Sequence, residues 1–533
     1  MLRYLRITFA AIFFALVLLL FLDFTGVLYP LFSWVTKMQL VPAVLSLNVI
    51  ILAILLVLTL LFGRVYCSII CPMGIFQDIV SNLRGRVKKN RFTYSKEKKV
   101  LRLVVLAVFI IALILGVSAI YTLIEPYSAF GRIATNLLAP VYQWGNNLLA
   151  SWSESAGNYD FYRTDILLKS GLSLSLAIVT MLVIGYLAYR SGRTYCNTFC
   201  PVGTFLGYIS KFSLLKVRIN ESKCISCGLC TKNCKASCID FKNKQIDYSR
   251  CVACMDCIGK CKKGALSFGL KPKAEPKPDP ADGDDKPQAD ATRKVVASLL
   301  AVAASSAVAK AQYAITTTED IAEGGLADIL DRKAPPRSAC PVPPGSESFK
   351  HLTQHCTACQ LCITKCPNNV LKPSMSLDHF LQPVMDFTDG YCRPECNICS
   401  QVCPNGAIKP IDAAEKTGIH VGQAIWIREN CLPIKDGVPC GNCERQCPND
   451  AITMTYLNDE EKRKDQEYQE RLRNLPPAGQ WGPAPSIQAP AILKIPVVNT
   501  EKCIGCGACE NLCPSRPNGA IYVDGLQVHR TGK

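Results

Sequence analysis

Hydrophobic residues gather in four long runs near the start of the chain, at about 7–24, 44–62, 100–120 and 166–189, each long enough to cross a bilayer as a helix. Between the second and third runs stand Arg84, Arg86, Lys88, Lys89, Arg91, Lys96, Lys98, Lys99 and Arg102, a basic block that the positive-inside rule assigns to the cytoplasm. The stretches 25–42 and 121–165, poor in basic residues, then lie outside. Arg3 and Arg6 agree with an inside N-terminus, so the first run reads as an uncleaved anchor rather than a removed signal peptide. The pattern predicts an α-helical membrane domain of four spans over residues 1–215, multi-pass in a bacterial inner (cytoplasmic) membrane.

Beyond residue 215 the periodicity changes. Residues 216–270 are polar with short apolar stretches, as in a small α+β unit, and 271–291 is a charged, proline-rich spacer without apolar periodicity. In 292–315, Arg293 and Lys294 precede about fifteen small apolar residues, the layout of a fifth membrane segment or an internal signal-like helix; a soluble alanine-rich helix is the plainer alternative. A crossing there would place residues 316–533, a second α+β region, on the periplasmic side. Within it, 458–490 reads as a charged helical insert followed by a proline-rich loop.

The 30 cysteines change the picture most. Six groups of four carry the tight spacing of iron-sulfur ligands, which favours metal over a disulfide framework. The first two are Cys224, Cys227, Cys230, Cys234 and Cys251, Cys254, Cys257, Cys261. In the two-cluster bacterial ferredoxin pattern the fourth cysteine of each run crosses to the other cluster, giving one cluster on Cys224, Cys227, Cys230 and Cys261 and another on Cys251, Cys254, Cys257 and Cys234. Lys235 and Lys262 stand where a proline is usual, a departure that leaves the ligands intact. Cys238 is left over and reads as a buried structural thiol; Cys340 also falls outside the groups.

Four further groups each close on Cys-Pro: Cys356, Cys359, Cys362, Cys366; Cys392, Cys396, Cys399, Cys403; Cys431, Cys440, Cys443, Cys447; and Cys503, Cys506, Cys509, Cys513. They predict four more 4Fe-4S clusters, six in all, with short strands returning at Ala407-Ile408, Ala451-Ile452 and Ala520-Ile521. Zinc is the plainer alternative, but zinc sites rarely place a fourth cysteine three residues on with proline behind it. Adjacent pairing of the groups (first with second, third with fourth) and nested pairing (first with fourth, second with third) both satisfy every ligand.

Four more cysteines lie in a frame that occurs twice, G-R-x-Y-C-x-x-x-C-P-x-G-x-F, at 63–76 and 192–205. Both frames follow a span running outside to inside, so a parallel pseudo-twofold repeat would bring Cys67, Cys71, Cys196 and Cys200 together on the cytoplasmic side. They are candidates for a seventh cluster, a redox-active dithiol or a quinol contact, against the plainer role of packing helix ends.

The formal charge of +17 comes without a basic stripe interleaved with aromatics, so no nucleic acid is expected as partner. Each oxidised cubane on four thiolates adds about two negative charges, so six would cancel most of the excess. The chain shows no haem C-x-x-C-H, no P-loop and no dinucleotide fingerprint, and its five histidines form no catalytic array; His355, beside Cys356, reads as a loop cap before a tuner of potential. Glu125, Tyr127 and Arg132 could line a quinol notch on the outer face, although a helix-end salt bridge is the plainer reading.

Residues 1–270, with two C-x-x-x-C-P frames behind paired spans and a two-cluster unit after them, resemble the NapH/NosR class of membrane polyferredoxins. The segment "PVPPGSESFKHLTQHCTACQLCITKCP" and the Cys-Pro groups after it resemble NapG/MauM-type ferredoxins, as if two partner proteins were fused. The resemblance implies nested pairing of the C-terminal groups and electron transfer from menaquinol, through the quinol pool in the membrane, to a periplasmic reductase or cytochrome. On that basis the protein is either a quinol-oxidising subunit or a carrier only. An accessory factor that reduces a metal or thiol for another redox enzyme, and a membrane scaffold charged by a soluble ferredoxin, are the competing expectations.

Overall fold

The computed structural model describes residues 2–87, 92–164, 166, 168–270, 333, 335–474 and 489–531. The spacer 271–291 and the signal-like segment 292–315 lie outside the described residues, as does the tract 88–91 of the basic block.

The four apolar runs form helices Leu2–Leu22, Val49–Phe62, Lys99–Leu115 and Gly171–Ser191. Leu2–Leu22 and Gly171–Ser191 are long and apolar enough to cross a membrane. Only 22% of the apolar window in each is buried, which is unlike the core helix of a soluble protein and suggests membrane association. The other two are shorter than their apolar runs. Before Val49, Leu47 takes a positive φ and the Asn48 side chain accepts from Ile51 N at 3.2 Å, which starts a new helix there. After Leu115, Gly116 adopts the left-handed conformation that ends a helix. Both keep an outward apolar face, with Val49, Ile50, Ile54 and Val57 on one and Leu103, Ile110 and Ile114 on the other.

The stretches expected to be outer loops are built quite differently. They fold into helices, among them Leu40–Leu45, Pro126–Ile133 and the longer Ala139–Ser155, and every residue of Pro126–Ile133 is buried. Each C-x-x-x-C-P frame forms a one-turn helix and then a longer one with proline in its first turn: Tyr66–Ile69 before Pro72–Val87, and Thr194–Thr198 before Pro201–Ser210. The longer helices cross over, Pro72–Val87 packing on Gly171–Ser191 while Pro201–Ser210 packs on Val49–Phe62 and Lys99–Leu115.

The two cysteine-rich units dock at opposite ends of these helices. Arg3 and Arg6, at the start of Leu2–Leu22, reach Asp256 and Asp78 near the first unit, whereas Asp23, just past the end of that helix, pairs with Lys365 of the second at 3.0 Å. Gly171–Ser191 does the same in reverse, with Ser173 bonded to Gln360 and Gly192 against Lys235. A helix of this length spans about 30 Å.

Both units are α+β, made of short helices and two-stranded antiparallel sheets. In the first, Lys216–Ile219 pairs with Leu266–Gly269 and Ile239–Asp240 with Gln245–Ile246. In the second, Leu371–Pro373 pairs with Pro383–Met385, Ile452–Tyr456 with Lys494–Val498, and Ile419–Trp426 with Ile521–Thr531. Strands therefore return after Ala451 and Ala520 as expected. None forms at Ala407-Ile408, which is buried but followed closely by Pro410, a residue with no N–H for a ladder. The charged insert is the helix Asp459–Arg473, capped by Asn458.

Gly131 sets the second docking. A Cβ there would collide with the Cys359 carbonyl oxygen and press on Phe21. Gly131→Val is expected to separate the second unit from the helices while leaving each intact, read as faster hydrogen exchange confined to 118–136 and 353–382.

Candidate iron-sulfur centres

In the first unit one cavity is walled by Cys224, Cys227, Cys230 and Cys261, and a second by Cys234, Cys238, Cys251, Cys254 and Cys257. Cys261 thus lies with the first group's thiols and Cys234 with the second group's. Cys238 is buried, its sulfur 3.6 Å from that of Cys234.

In the second unit Cys403 stands with Cys356, Cys359 and Cys362, and Cys366 with Cys392, Cys396 and Cys399. Cys447 shares a cavity with Cys503, Cys506 and Cys509, and Cys513 shares one with Cys431, Cys440 and Cys443. The pairing is adjacent, first group with second and third with fourth, which corrects the nested pairing implied by the resemblance. The reason is the chain's return: a group's fourth cysteine is set by the loop folded against it, and 366–392 is closed by the hairpin Leu371–Pro373 with Pro383–Met385. The two pairs touch where Cys392 N donates to the Cys506 carbonyl at 2.9 Å.

Cys67, Cys71, Cys196 and Cys200 are all buried and face one another at the ends of the two frames. Every shared letter of the frame outside its thiols and final Phe has a visible task. Gly63 and Gly192 end their helices at positive φ. Pro72 and Pro201 open the next helices, and the Gly203 amide donates to the Cys200 sulfur at 3.3 Å. Gly74 lies so close to the Cys67 carbonyl, and Gly203 to that of Cys196, that neither could carry a Cβ. Tyr66 donates to Gln39 at 2.9 Å and Tyr195 to the Ile124 carbonyl at 2.8 Å, tying both frames to the segments beyond.

The arginines are exchanged. Arg64 of the first frame donates to the Cys196 carbonyl at 3.1 Å in the second, and Arg193 of the second donates to the Cys67 carbonyl in the first. Arg193 also binds Asp78 at 2.7 Å, and Asp78 meets Arg6 and Lys235 at 3.0 and 2.9 Å. Burial would raise the Asp78 carboxyl, but Arg193, Lys235 and Arg6 override it and hold it well below the usual carboxylate range. Arg64 is fully buried and has no carboxylate partner among the described residues; it lies 3.7 Å from the Cys67 sulfur, and Gln77 lies 3.2 Å from that of Cys196. A buried cation needs an anion beside it. Ionised thiolates holding a cluster would supply one, and an uncharged set of thiols would not.

The donor sets fit four-iron clusters. Each offers at least four thiols; four of the seven sets line a cavity, and Arg64 stands beside the quartet. Among the described residues no three His, Cys, Asp or Glu side chains close to the spacing of a single metal ion.

Glu125, Tyr127 and Arg132 are buried at 1%, 1% and 0% exposure, in place of the outer notch expected of them. Glu125 caps Pro126–Ile133, and Arg132 donates to the Thr122 carbonyl at 2.7 Å. Their helix runs between the Tyr195 hydroxyl at Ile124 and Cys359 at Gly131, so they fill the space between the thiol quartet and the second unit. Tyr121 and Asn136 complete this seam by bonding to the Cys356 carbonyl and to Gln360. His355 bonds through Nδ1 to the His351 carbonyl at the end of its helix. Arg64, Arg193, Asp78 and Lys235 were not among the expected site residues, although the recurrence of both arginines in the frame is a signal that could have found the first two.

Thiol sets of this kind, in α+β units, define a ferredoxin-type 4Fe-4S protein. A family described as "4Fe-4S binding domain" matches residues 46–90 and 172–220, covering both frames, and one described as "4Fe-4S dicluster domain" matches 438–517. The chain is homologous to ferredoxin-type proteins of methylamine utilization. It is 29% identical to MauN of Paracoccus denitrificans over 173 residues, 32% of this chain and 48% of that one. With MauM of Methylobacillus flagellatus it shares 29% over 194 residues, 36% of this chain and 70% of that one. The "Putative electron transport protein YccM" of Escherichia coli is 27% identical over 219 residues, 40% of this chain and 52% of its own. The chain spans about half the length of the first curated relatives it matches. No solved structure matches.

Two outcomes follow for the purified protein. Iron is expected near 28 per chain if the quartet is filled, falling by about four in the Cys67→Ser, Cys196→Ser double variant; about 24 before substitution would leave the quartet without a cluster. Asp78→Asn, which unpairs buried Arg193 and Lys235, is expected to cost about 3–5 kcal/mol in denaturant unfolding.

Proposed function

We propose that the protein is a membrane-bound iron-sulfur conduit that carries electrons through its helical domain from one ferredoxin unit to the other. One observation carries this reading: the thiol sets fall in a single file. The Cys224 set adjoins the Cys251 set, whose unit rests on the quartet through Lys235 and Ser249. Beyond the quartet come the Cys356, Cys392, Cys503 and Cys431 sets in turn. The clusters supply one-electron carriers, and the chain supplies their spacing and a dry path between them.

In this reading the four apolar helices cross the bilayer, and the reciprocal arginines support a parallel pseudo-twofold repeat of the two frames. Arg84 and Arg102, of the basic block, lie at the first ferredoxin's end, where Arg84 meets the Tyr189 and Arg190 carbonyls and Arg102 meets Ser249. That supports a cytoplasmic first ferredoxin and a periplasmic second one. Menaquinol as membrane donor and a periplasmic reductase as acceptor come from the resemblance. Glu125, Tyr127 and Arg132 serve inside the protein, so a quinol would need another entry.

The test is freeze-quenched electron paramagnetic resonance of the full chain in nanodiscs, after reduction with a menaquinol analogue or from the first ferredoxin's side. All clusters are expected to be reduced in turn. In Cys67→Ser, Cys196→Ser the second ferredoxin should stay oxidised while the first is still reduced from its own side, and unchanged transfer in that variant would refute the conduit.

A further inference from the structure

Cys227 alone among the grouped cysteines is exposed, and it belongs to the set at one end of the file. Neither Lys235 nor Ser249, the residues by which this unit rests on the helices, lines the cavity of that set. Its wall is apolar, with Ile225 at 64% exposure beside the thiols, and its rim is basic, carrying Lys223, Lys262 and Lys263. None of these lysines pairs with a carboxylate among the described residues. Carboxylates of the unit are committed elsewhere: Asp247 to Arg250, Asp256 to Lys235 and Arg3, and Asp240 to its own turn.

An apolar spot over an accessible redox centre, ringed by unpaired cations, suits brief contact with a partner of opposite charge: the ring steers encounter and the apolar spot lets the two centres approach. We infer that this face receives a soluble one-electron carrier protein whose own redox centre is ringed by carboxylates. The inference rests on the conduit reading and adds an entry point to it. The step would balance simply: the reduced carrier would lose one electron to a cluster held by Cys224, Cys227, Cys230 and Cys261, with no bond or proton moved. Lys262 and Lys263 also stand next to Cys261, so the cations sit within reach of both partners' charge.

The probe is an acidic two-iron ferredoxin, reduced and freed of reductant, mixed with the full chain in neutral-lipid nanodiscs. Its second-order rate of oxidation is expected to fall about tenfold or more between low and high salt, and similarly in Lys223→Glu, Lys262→Glu, Lys263→Glu at low salt. Binding of the oxidised probe, measured by calorimetry, should weaken in parallel, with iron content and reduction by a small neutral mediator unchanged. A single Lys263→Glu change gives an intermediate rate should the triple variant lose iron. A rate indifferent to salt and to these changes overturns the inference. So does loss of affinity for anionic vesicles with an unchanged carrier rate, which would make the rim a lipid contact. Should the probe reduce the first ferredoxin and no electron reach the second, the inference stands and the conduit falls.

Discussion

The exchange of Arg64 and Arg193 between the two frames is the contact on which the rest of the molecule depends. Each guanidinium crosses to the other frame's first cysteine carbonyl, so neither frame is complete without its counterpart. Asp78 extends the clamp to the first helix through Arg6 and to the first ferredoxin through Lys235, and both cations and the acid are nearly inaccessible. Buried charges of this kind add little net stability but forbid alternatives, since any slipped arrangement would strand an ion away from water. That suits a quartet whose four thiols come from two places 129 residues apart in the chain.

Glycine makes the clamp compact. At Gly74 and Gly203 backbone meets backbone within each frame, at Gly192 it meets the first ferredoxin, and at Gly131 it meets the second. Side chains at these points would hold the thiol sets apart, and electron transfer weakens steeply with separation. Polar seams then fix the orientation, with Lys365 on Asp23 and Gln360 on Ser173 and Asn136 at one end, and Lys235 on Asp78 at the other. The helical domain thus stands between the two ferredoxin units with a thiol quartet inside it.

Much of the site was legible because cluster ligation is local: three of four ligands lie in a loop of about ten residues, and that loop must have its spacing to wrap a cubane corner. The helices were legible too, as apolar runs, yet their ends were not. Leu47, Asn48 and Gly116 end or start helices inside those runs by backbone conformation and capping, which hydropathy does not register. Within the stretches taken for outer loops the helix Pro126–Ile133 is buried throughout, and Glu125, Tyr127 and Arg132 looked like a notch only while nothing was known to cover them.

By itself, then, the sequence determined the chemistry of this protein: which cysteines group, that each group completes itself with a thiol from another, and that two frames share one design. Only the tertiary structure decided the fourth partners in the second ferredoxin, the exchange of arginines, the burial of the segment around Glu125, and the placing of the two ferredoxins at opposite ends of the same helices. The division has a physical cause. Ligand spacing is a property of a short loop, whereas pairing, burial and docking depend on which loops meet, and that is settled by packing between residues hundreds of positions apart.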